Sequence, residues 1–267
     1  MSNLTVSAGE AARRLGVAPI TIQRWVDSGV LNAERTPGGH RRIYVTELRR
    51  LIAAGRLREA NDLLADWLRV MRTGDPGQVK SALLTAREKC GSWAGVADEV
   101  ASAIAELGRE WEAGKRQVFE EHASTETLRR GITLCGAGLQ CAPDARRAVL
   151  FTVEGERHTL GLLLAELVLG EAGWRCFWLG EGPPSDELRS LIEKIDPDLV
   201  VVSASSVIPT KAVARYQAEL SRIATIGNVE VVLAGGGAWS SISNMQRLVT
   251  FEDLRAFLRE REQLPRS

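Results

Sequence analysis

Apolar residues follow three different spacings along the 267-residue chain. Up to about residue 55, short apolar stretches are separated by glycine and proline turns. From there to about residue 142, apolar positions recur every three or four residues, the period of an amphipathic helix. Beyond that point, Val- and Leu-rich runs alternate with helical stretches, which is typical of parallel strands buried on both faces. The pattern predicts three domains, at 1–55, 56–142 and 143–267.

The first domain is predicted to be a winged helix-turn-helix. A short helix begins at the capping residue Ser7 and ends at Leu15, before a glycine turn. A second helix opens near Pro19 and ends at Ser28-Gly29. The glycine-rich turn 36–39 then leads into a return strand at 40–44, which is the pattern of a two-stranded wing.

Charge is distributed unevenly, although the net charge of the chain is zero. Residues 1–60 hold ten arginines against five acidic residues, so this end carries +5 and the remainder −5. Arginine is suited to bidentate contacts with phosphate and guanine, which predicts operator DNA as a partner. The candidate contacts lie on the polar side of the second helix and on the wing: Thr21, Gln23, Arg24, His40, Arg41 and Arg42.

The second and third domains differ in their predicted elements. After a helix at 45–54, a four-helix bundle is predicted, with helices at 57–71, 76–90, 93–114 and 118–139. The third domain is predicted to be a doubly wound, flavodoxin-like parallel sheet. Its strands are predicted at 147–153, 175–179, 199–203, 229–234 and 247–251, and its helices at 159–172, 185–194, 209–225, 240–244 and 252–261.

Other features narrow the class of protein. Four cysteines without C-x-x-C spacing argue against a zinc site or a disulfide framework and favour a reducing cytoplasm. No signal peptide or membrane-spanning segment is predicted. A G-x-G-x-x-G motif does not follow the first strand of the sheet, which disfavours a dinucleotide.

A histidine stands where the first strand of the sheet gives way to a helix. In open α/β sheets, ligands bind outside the carboxyl ends of the strands, so His158 is placed for a ligand. A carboxylate two residues earlier, Glu156, could orient the imidazole. Gly161 would let a bulky group approach the backbone closely.

The sequence Glu156-x-His158-x-x-Gly161 resembles the signature of cobalamin-binding domains. That resemblance implies that His158 is the lower axial ligand of cobalt and that Glu156 orients it. It also implies a slot for the dimethylbenzimidazole tail, lined by small residues after the third and fourth strands. The corresponding residues here are Ser203, Ser205, Gly235 and Gly236.

Two further motifs extend the resemblance to nearly the whole chain. GEAARRLGVAPITIQRWVDSGVL followed by TPGGHRRIY resembles the DNA-binding domain of MerR-type regulators. Trp111, nine residues and then Glu121-His122 resemble the bundle signature of cobalamin-dependent light sensors of the CarH family. Membership would imply an adenosylcobalamin-controlled repressor, with these three bundle residues on the adenosyl side and with a dimer or tetramer as the assembled form.

One position departs from that family. The residue after the tryptophan is a histidine in light-sensing members, where it takes the upper face of cobalt after photolysis. Here it is Glu112, still a candidate cofactor contact but a poor replacement for an imidazole. The expectation is that no bis-imidazole photoproduct forms through residue 112, with His122 as a possible substitute donor.

Alternatives to an adenosylcobalamin-controlled regulator remain. Haem or a linear bilin could occupy the same slot, with His158 as an iron ligand, or cobalamin could be sensed without light. A bundle joined to an α/β domain also occurs in corrinoid methyl carriers. The chain has no room for a barrel that would activate a methyl donor, which favours a regulator over an enzyme.

Overall fold

The computed structural model describes the chain in two compact units, Met1–Ala65 and Asp66–Ser267. The described residues are 4–15, 22, 26, 31–35, 41–115, 117–227 and 229–262. Most of the predicted second helix, and the predicted wing turn with His40, therefore lie outside the described residues.

The first unit contains a small antiparallel sheet of three strands in the order β1-β3-β2. The elements are β1 (Thr5–Ser7), α1 (Ala8–Leu15), β2 (Ala33–Arg35) and β3 (Arg41–Tyr44). The pairing of β2 with β3 is the predicted wing. Strand β1 was not predicted, because three residues are too few for a period to show. Ala11, Ile22 and Ile43 belong to the buried core of this unit.

Helix α2 (Val45–Met71) is one continuous helix where the sequence predicts two. The predicted break rested on Gly55. A single glycine costs a helix only about 1 kcal/mol relative to alanine, and the neighbouring Ala53, Ala54 and Arg56 favour helix. The break between the predicted helices 45–54 and 57–71 was therefore wrong.

Three further helices complete the bundle: α3 (Pro76–Cys90), α4 (Trp93–Glu112) and α5 (Val118–Gly136). Helix α3 begins at an Asp75 cap and ends at Gly91, whose φ of 72° suits the left-handed turn. Gly131 lets α5 approach α3 closely, since a Cβ there would lie 2.3 Å from Val79 Cγ1. Helices α4 and α5 end a few residues earlier than predicted.

The parallel sheet has the order β5-β4-β6-β7-β8, which is the flavodoxin-like order predicted from sequence. Its strands are β4 (Arg147–Thr152), β5 (Arg175–Gly180), β6 (Leu199–Ser203), β7 (Glu230–Ala234) and β8 (Gln246–Arg247). The order changes direction between β4 and β6, so their carboxyl ends frame a crevice. The helices are α6 (Leu160–Glu171), α7 (Leu188–Ile195), α8 (Thr210–Gly227) and α9 (Phe251–Glu262).

Helices α6 and α9 form the face of the sheet that meets the bundle. Glu171 of α6 accepts the backbone N–H of Trp93 and pairs with Arg87, so it caps α4 from outside. Asp98 of α4 accepts the N–H groups of Phe251 and Glu252 and caps α9 in the same way. None of the described helices, including the apolar α6, is long and apolar enough to cross a membrane.

The last part of the chain departs from prediction in two places. The predicted helix 240–244 is a loop and turn, because Gln217 of α8 bonds both the N–H and the carbonyl of Ser240. The predicted strand 247–251 is only the two-residue β8. Asp253 accepts the N–H groups of Val249 and Thr250, which ends the strand and starts α9.

Candidate cofactor site

The His158 side chain is held by a buried carboxylate in the loop after β4. Thr152 Oγ1 donates to the carbonyl of Glu156 at 2.6 Å and fixes the turn. Glu156 is only 1 % exposed. Its Oε1 atom accepts the His158 backbone N–H at 2.8 Å and lies 2.6 Å from the ring Nδ1. Glu156 thus sets both the backbone and the ring of His158.

The second carboxylate oxygen of Glu156 ties this loop to the neighbouring strand. Glu156 Oε2 accepts the backbone N–H of Ser205, just beyond β6, at 2.7 Å. Burial alone would raise the pKa of Glu156, but hydrogen bonds from Ser205 and His158 outweigh burial and lower it. Glu156 is therefore an anion that accepts hydrogen bonds, which suits a group that orients an imidazole.

The other side of the imidazole is open. The His158 side chain is 70 % exposed, and its Nε2 atom has no partner among the described residues. With Nδ1 on Glu156, a neutral ring carries its lone pair on Nε2, where a metal ion can be bound. No cluster of three or more potential metal-binding side chains exists in the described part of the chain. A metal ion here would be held by the His158 imidazole and by a cofactor that already contains the metal.

A cavity of about 540 Å³ lies between helix α4 and the carboxyl ends of β6 and β7. Five of the predicted site residues line it: Gly161, Ser203, Ser205, Gly235 and Gly236. Most of the remaining wall is aliphatic, with α9 contributing Phe251 and Leu254. The Ser205 hydroxyl is buried near Glu156 but makes no hydrogen bond of acceptable geometry with a described residue. The cavity therefore offers an apolar slot with a spare polar group.

Glycine suits two positions of the site for different physical reasons. Gly235 has φ of 79°, and a Cβ there would lie 2.4 Å from the Ala204 carbonyl oxygen, so only glycine fits. Gly161 is helical, and a Cβ there would meet nothing within 4 Å. Its side of α6 faces the cavity, so glycine at 161 keeps space open.

The bundle contributes one helical face to the cavity. Ala101, Ile104, Ala105 and Gly108 line it at the spacing of one face of α4. Trp111 and Glu112 continue that face by one turn but do not line the cavity, and Trp111 is 46 % exposed. The small residues on this face are a signal that the sequence prediction did not use.

Glu121 and His122 lie in the first turns of α5 and differ in the exposure of their side chains. Glu121 Oε1 accepts the hydroxyl of Thr125 at 2.7 Å. The His122 side chain is 73 % exposed, and its Nε2 is 3.6 Å from Glu121 Oε2. Seven residues beyond His122, on the same face of α5, Arg129 donates to Thr159 beside His158 at 2.9 Å. The face that carries His122 is thus the face that reaches the His158 loop.

Comparison with known proteins follows the same division of the chain. A helix-turn-helix domain model matches residues 5–59, and a B12 binding domain model matches residues 63–135. The HTH-type transcriptional repressor CarH of Myxococcus xanthus is 26 % identical over 93 % of this chain and 94 % of its own length. The chain therefore resembles the CarH repressor along nearly its whole length. Its domains are those of a cobalamin-binding transcriptional regulator.

Two other proteins are similar to parts of this chain. The repressor CarA of Myxococcus xanthus is 31 % identical over 32 % of this chain and 30 % of its own length. The structure of the monomethylamine corrinoid protein of Methanosarcina barkeri superposes with a TM-score of 0.56 at 17 % identity. It covers 74 % of this chain and 96 % of that one. This last similarity concerns the fold alone.

The candidate DNA contacts of the chain are described only in part. Thr21, Gln23, Arg24 and His40 lie outside the described residues. Arg41 and Arg42 belong to β3, where their backbones pair with Arg35 and Glu34 of β2. The Arg42 side chain is exposed. Of the predicted wing cations, the structure therefore describes only Arg42 in full.

The sequence prediction missed two side chains at the His158 loop, Thr159 and Arg129. Thr159 directly follows the predicted ligand, so its position next to the site could have been predicted. Arg129 is 30 residues away from Thr159 in the chain. No local pattern distinguishes it from Arg130, which extends into solvent and pairs with Glu126.

Proposed function

We propose that the chain is a transcriptional repressor whose DNA binding is controlled by adenosylcobalamin and by light. One observation carries the cofactor: an exposed His158 ring, fixed by the buried carboxylate of Glu156, stands at the crevice of a flavodoxin-like sheet. Its free Nε2 is suited to be the lower axial ligand of cobalt. The match to the B12 binding domain and the similarity to CarH support cobalamin as the group that carries the metal.

The residues of the site fit that group. The dimethylbenzimidazole base at the end of the cobalamin tail is flat and apolar, and the cavity beside Ser203 and Gly236 is an aliphatic slot that suits it. Gly161 and Gly235 keep the slot open, and the Ser205 hydroxyl is available to a polar group on the tail. We propose Ser203, Ser205, Gly235 and Gly236 as tail contacts, with Gly161 at the entrance.

Each protein group at the site has a separate task in this proposal. Bound cobalamin would supply a cobalt ion able to take an imidazole nitrogen and a light-sensitive bond to carbon. Glu156 holds the Nδ1 side of His158 so that Nε2 keeps its lone pair for the metal. The α4 face with Ala101, Ala105 and Gly108 excludes water from the slot.

The adenosyl side would be covered by the bundle. The Trp111 side chain is exposed near the end of α4, and the His122 side chain is exposed near the beginning of α5. Val118 and Phe119, which lie between them in the chain, are also exposed. A ligand over His158 would bring Trp111, Glu112, Glu121 and His122 into contact with its upper face. We propose Trp111, Glu121 and His122 because they match the motif of the CarH family, and Glu112 because it directly follows Trp111.

A regulator is favoured over a methyl carrier by the N-terminal unit. We propose that Thr21, Gln23 and Arg24 contact operator bases, and that the wing residues His40, Arg41 and Arg42 contact the backbone. We also propose a homo-oligomer, because paired helix-turn-helix units read paired half-sites. A soluble cytoplasmic location fits both the DNA target and the free cysteines.

The test is an absorption titration of the full-length apoprotein with adenosylcobalamin, hydroxocobalamin, haem and a linear bilin. We expect adenosylcobalamin to bind with the spectrum of a histidine-ligated form, and this spectrum to disappear in His158→Ala. Glu154→Gln is the matched control, since Glu154 is exposed in the same loop. Binding of haem or a bilin in place of cobalamin, or an unchanged spectrum in His158→Ala, would overturn the cofactor assignment.

A further inference from the structure

Helix α6 lacks the cap that its sequence offers. Thr159 stands at the N-cap position, where a threonine hydroxyl ordinarily accepts an N–H of the first turn. Here its side chain makes no such bond. Thr159 is 8 % exposed, and its Oγ1 accepts a hydrogen bond from Arg129 Nη1 of the bundle at 2.9 Å. The hydroxyl is thus engaged across the interface between bundle and sheet.

This arrangement is unfavourable for the stability of α6. The amino end of a helix carries a partial positive charge, so a cation placed there is disfavoured. The Arg129 guanidinium lies at that end and is only partly balanced by Glu126, at 3.5 Å. A capping threonine left to bond its own helix would give a more stable α6. The geometry therefore needs an explanation other than helix stability.

The His158 loop is held from two sides. On the sheet side, Glu156 bonds Thr152 through its carbonyl and Ser205 through its carboxylate. On the bundle side, the Arg129 side chain donates a hydrogen bond to Thr159 at the end of this loop. Thr159 directly follows His158. Arg129 therefore ties the residue next to the ring directly to the bundle, in addition to the packing of α6 against α4 and α5.

We infer that Arg129 is a positioning residue, which fixes His158 relative to helix α5 so that the imidazole and the bundle form one site. The inference rests on the proposed cobalamin function, since it concerns how the axial ligand is placed. Arg129 acts through Thr159 and does not itself touch the ligand. Because α5 also carries Glu121 and His122, the same contact would link both faces of a bound cofactor.

The first experiment uses the apoprotein and needs no cofactor. Hydrogen–deuterium exchange of the loop segment 153–159 is compared among wild type, Arg129→Met, Arg129→Lys and Arg130→Met. Arg130 is the matched control, because it pairs with the same Glu126 but does not contact Thr159. We expect about fivefold faster exchange in Arg129→Met alone, with Lys restoring part of the protection. Equal exchange in Arg129→Met and Arg130→Met would overturn the inference.

The second experiment reads the axial ligand directly. The protein is labelled uniformly with nitrogen-15 and loaded with cob(II)alamin, whose electron paramagnetic resonance lines are split by an axial nitrogen. A protein imidazole gives doublets, whereas the cofactor's own unlabelled base gives triplets. We expect doublets in wild type and Arg130→Met. In Arg129→Met we expect about tenfold weaker binding and a reduced doublet fraction.

Threonine variants test whether Arg129 acts through Thr159. Thr159→Ser keeps the hydroxyl and should behave as wild type, whereas Thr159→Val should match Arg129→Met. The double variant Arg129→Met/Thr159→Val should be no worse than either single one. Additive losses would overturn the inference. If wild type showed no doublets while Arg129→Met still exchanged faster, the proposed cofactor would fail and the positioning contact would stand.

Discussion

Glu156 combines two properties that usually exclude each other, burial and a low pKa. Burial of its carboxylate raises the pKa, but hydrogen bonds from Ser205 and His158 lower the pKa by more than burial raises it. Sequence predicted that Glu156 orients His158, because the two lie two residues apart. Sequence also selected Ser205, but as a small residue lining the tail slot, whereas in the structure its backbone N–H bonds Glu156. Backbone donors leave no trace in residue type.

Replacing Glu156 by glutamine should destabilise the apoprotein. The carboxylate offers two oxygens to the N–H groups of His158 and Ser205, whereas the amide offers only one. One of these N–H groups therefore loses its acceptor, at a cost of about 1–3 kcal/mol. Because the folded pKa is lowered, the stability from Glu156 is present above its unfolded pKa and is lost as pH falls through the folded pKa. The difference between wild type and Glu156→Gln should therefore be largest near neutrality and shrink in acid.

Urea unfolding followed by tryptophan fluorescence, over a pH series, measures this difference. Glu154→Gln in the same loop is the control and should shift the midpoint little at any pH, since Glu154 is exposed. A Glu156→Gln deficit that stayed constant into the acid range would mean that the Glu156 carboxylate is not the source.

Gly161 should separate folding from cofactor binding. A side chain at 161 meets no atom within 4 Å of its Cβ, so Gly161→Leu should leave the apoprotein as stable or raise its stability by about 0.5–1 kcal/mol. The added side chain would project into the cavity and lower cobalamin affinity by more than about tenfold. Thermal unfolding and absorption titration measure the two effects. Gly235→Ala is the contrasting variant and should fold poorly, because its Cβ collides with Ala204.

The elements were predictable where a period repeats several times. Helices α3, α4 and α5 and strands β4, β6 and β7 match the sequence prediction closely, since each has many buried positions. Two of the departures in the last part of the chain involve contacts between residues that are distant in sequence. Gln217 holds Ser240 in a loop, and Asp98 takes part in starting α9 from 153 residues away. Local periodicity carries no information about such contacts.

Helix α9 should depend on a cap supplied by the bundle. Its first two N–H groups donate to Asp98, at 2.8 and 3.2 Å, and the third donates to Thr250. Asp98→Ala leaves two donors at a packed interface without partners and should cost about 1–2 kcal/mol in the free energy of unfolding. Asp98→Asn, which keeps one acceptor, should cost less. Urea unfolding measures both.

Glu106 on the same helix provides the comparison for Asp98. Its ion pair with Arg109 is local and solvent-exposed, so Glu106→Gln should change the free energy of unfolding by less than about 0.5 kcal/mol. If Asp98→Ala were as mild as Glu106→Gln, the cap across the interface would contribute little to holding bundle and sheet together.

At the scale of the whole molecule, the order of the parts was predictable and the contacts between bundle and sheet were not. Each motif is local in sequence, so the helix-turn-helix, the bundle and the sheet could be assigned in order. The contact of Arg129 with Thr159 joins residues that no motif links. The uneven charge matters at this scale, because an arginine-rich end on an otherwise acidic chain would attract DNA to that end.

Removing the wing cations should weaken DNA binding without changing its specificity. Arg41→Ala and Arg42→Ala each remove a candidate phosphate contact, so affinity should fall similarly for operator and unrelated DNA. The slope of log affinity against log salt should fall by about one for each arginine removed. Fluorescence anisotropy over a salt series measures this. Arg222→Ala, an exposed arginine of the sheet domain, is the control, and an unchanged slope in the double variant would contradict the wing assignment.

The response to light should depend on residue 112. Glu112 ends α4 one residue after Trp111, is exposed, and continues the helix face that lines the cavity. After photolysis, cobalt would have an open upper position, for which an imidazole is a better ligand than a hard, anionic carboxylate. We expect illuminated wild type to yield water-ligated cobalamin and Glu112→His to yield a stable bis-histidine spectrum. The substitution also suits the helix end, where an imidazole is better placed than a carboxylate.

His122 is the other candidate donor, so the comparison needs four proteins: wild type, Glu112→His, His122→Ala and the double variant. Absorption spectra before and after illumination read the ligands, and gel filtration in each state reads the assembly. If His122 is needed only on the adenosyl side, the double variant should retain the bis-histidine spectrum gained by Glu112→His. A bis-histidine spectrum in wild type that His122→Ala removes would assign the upper ligand to His122. The same spectrum in wild type, independent of both positions, would refute a role for residue 112.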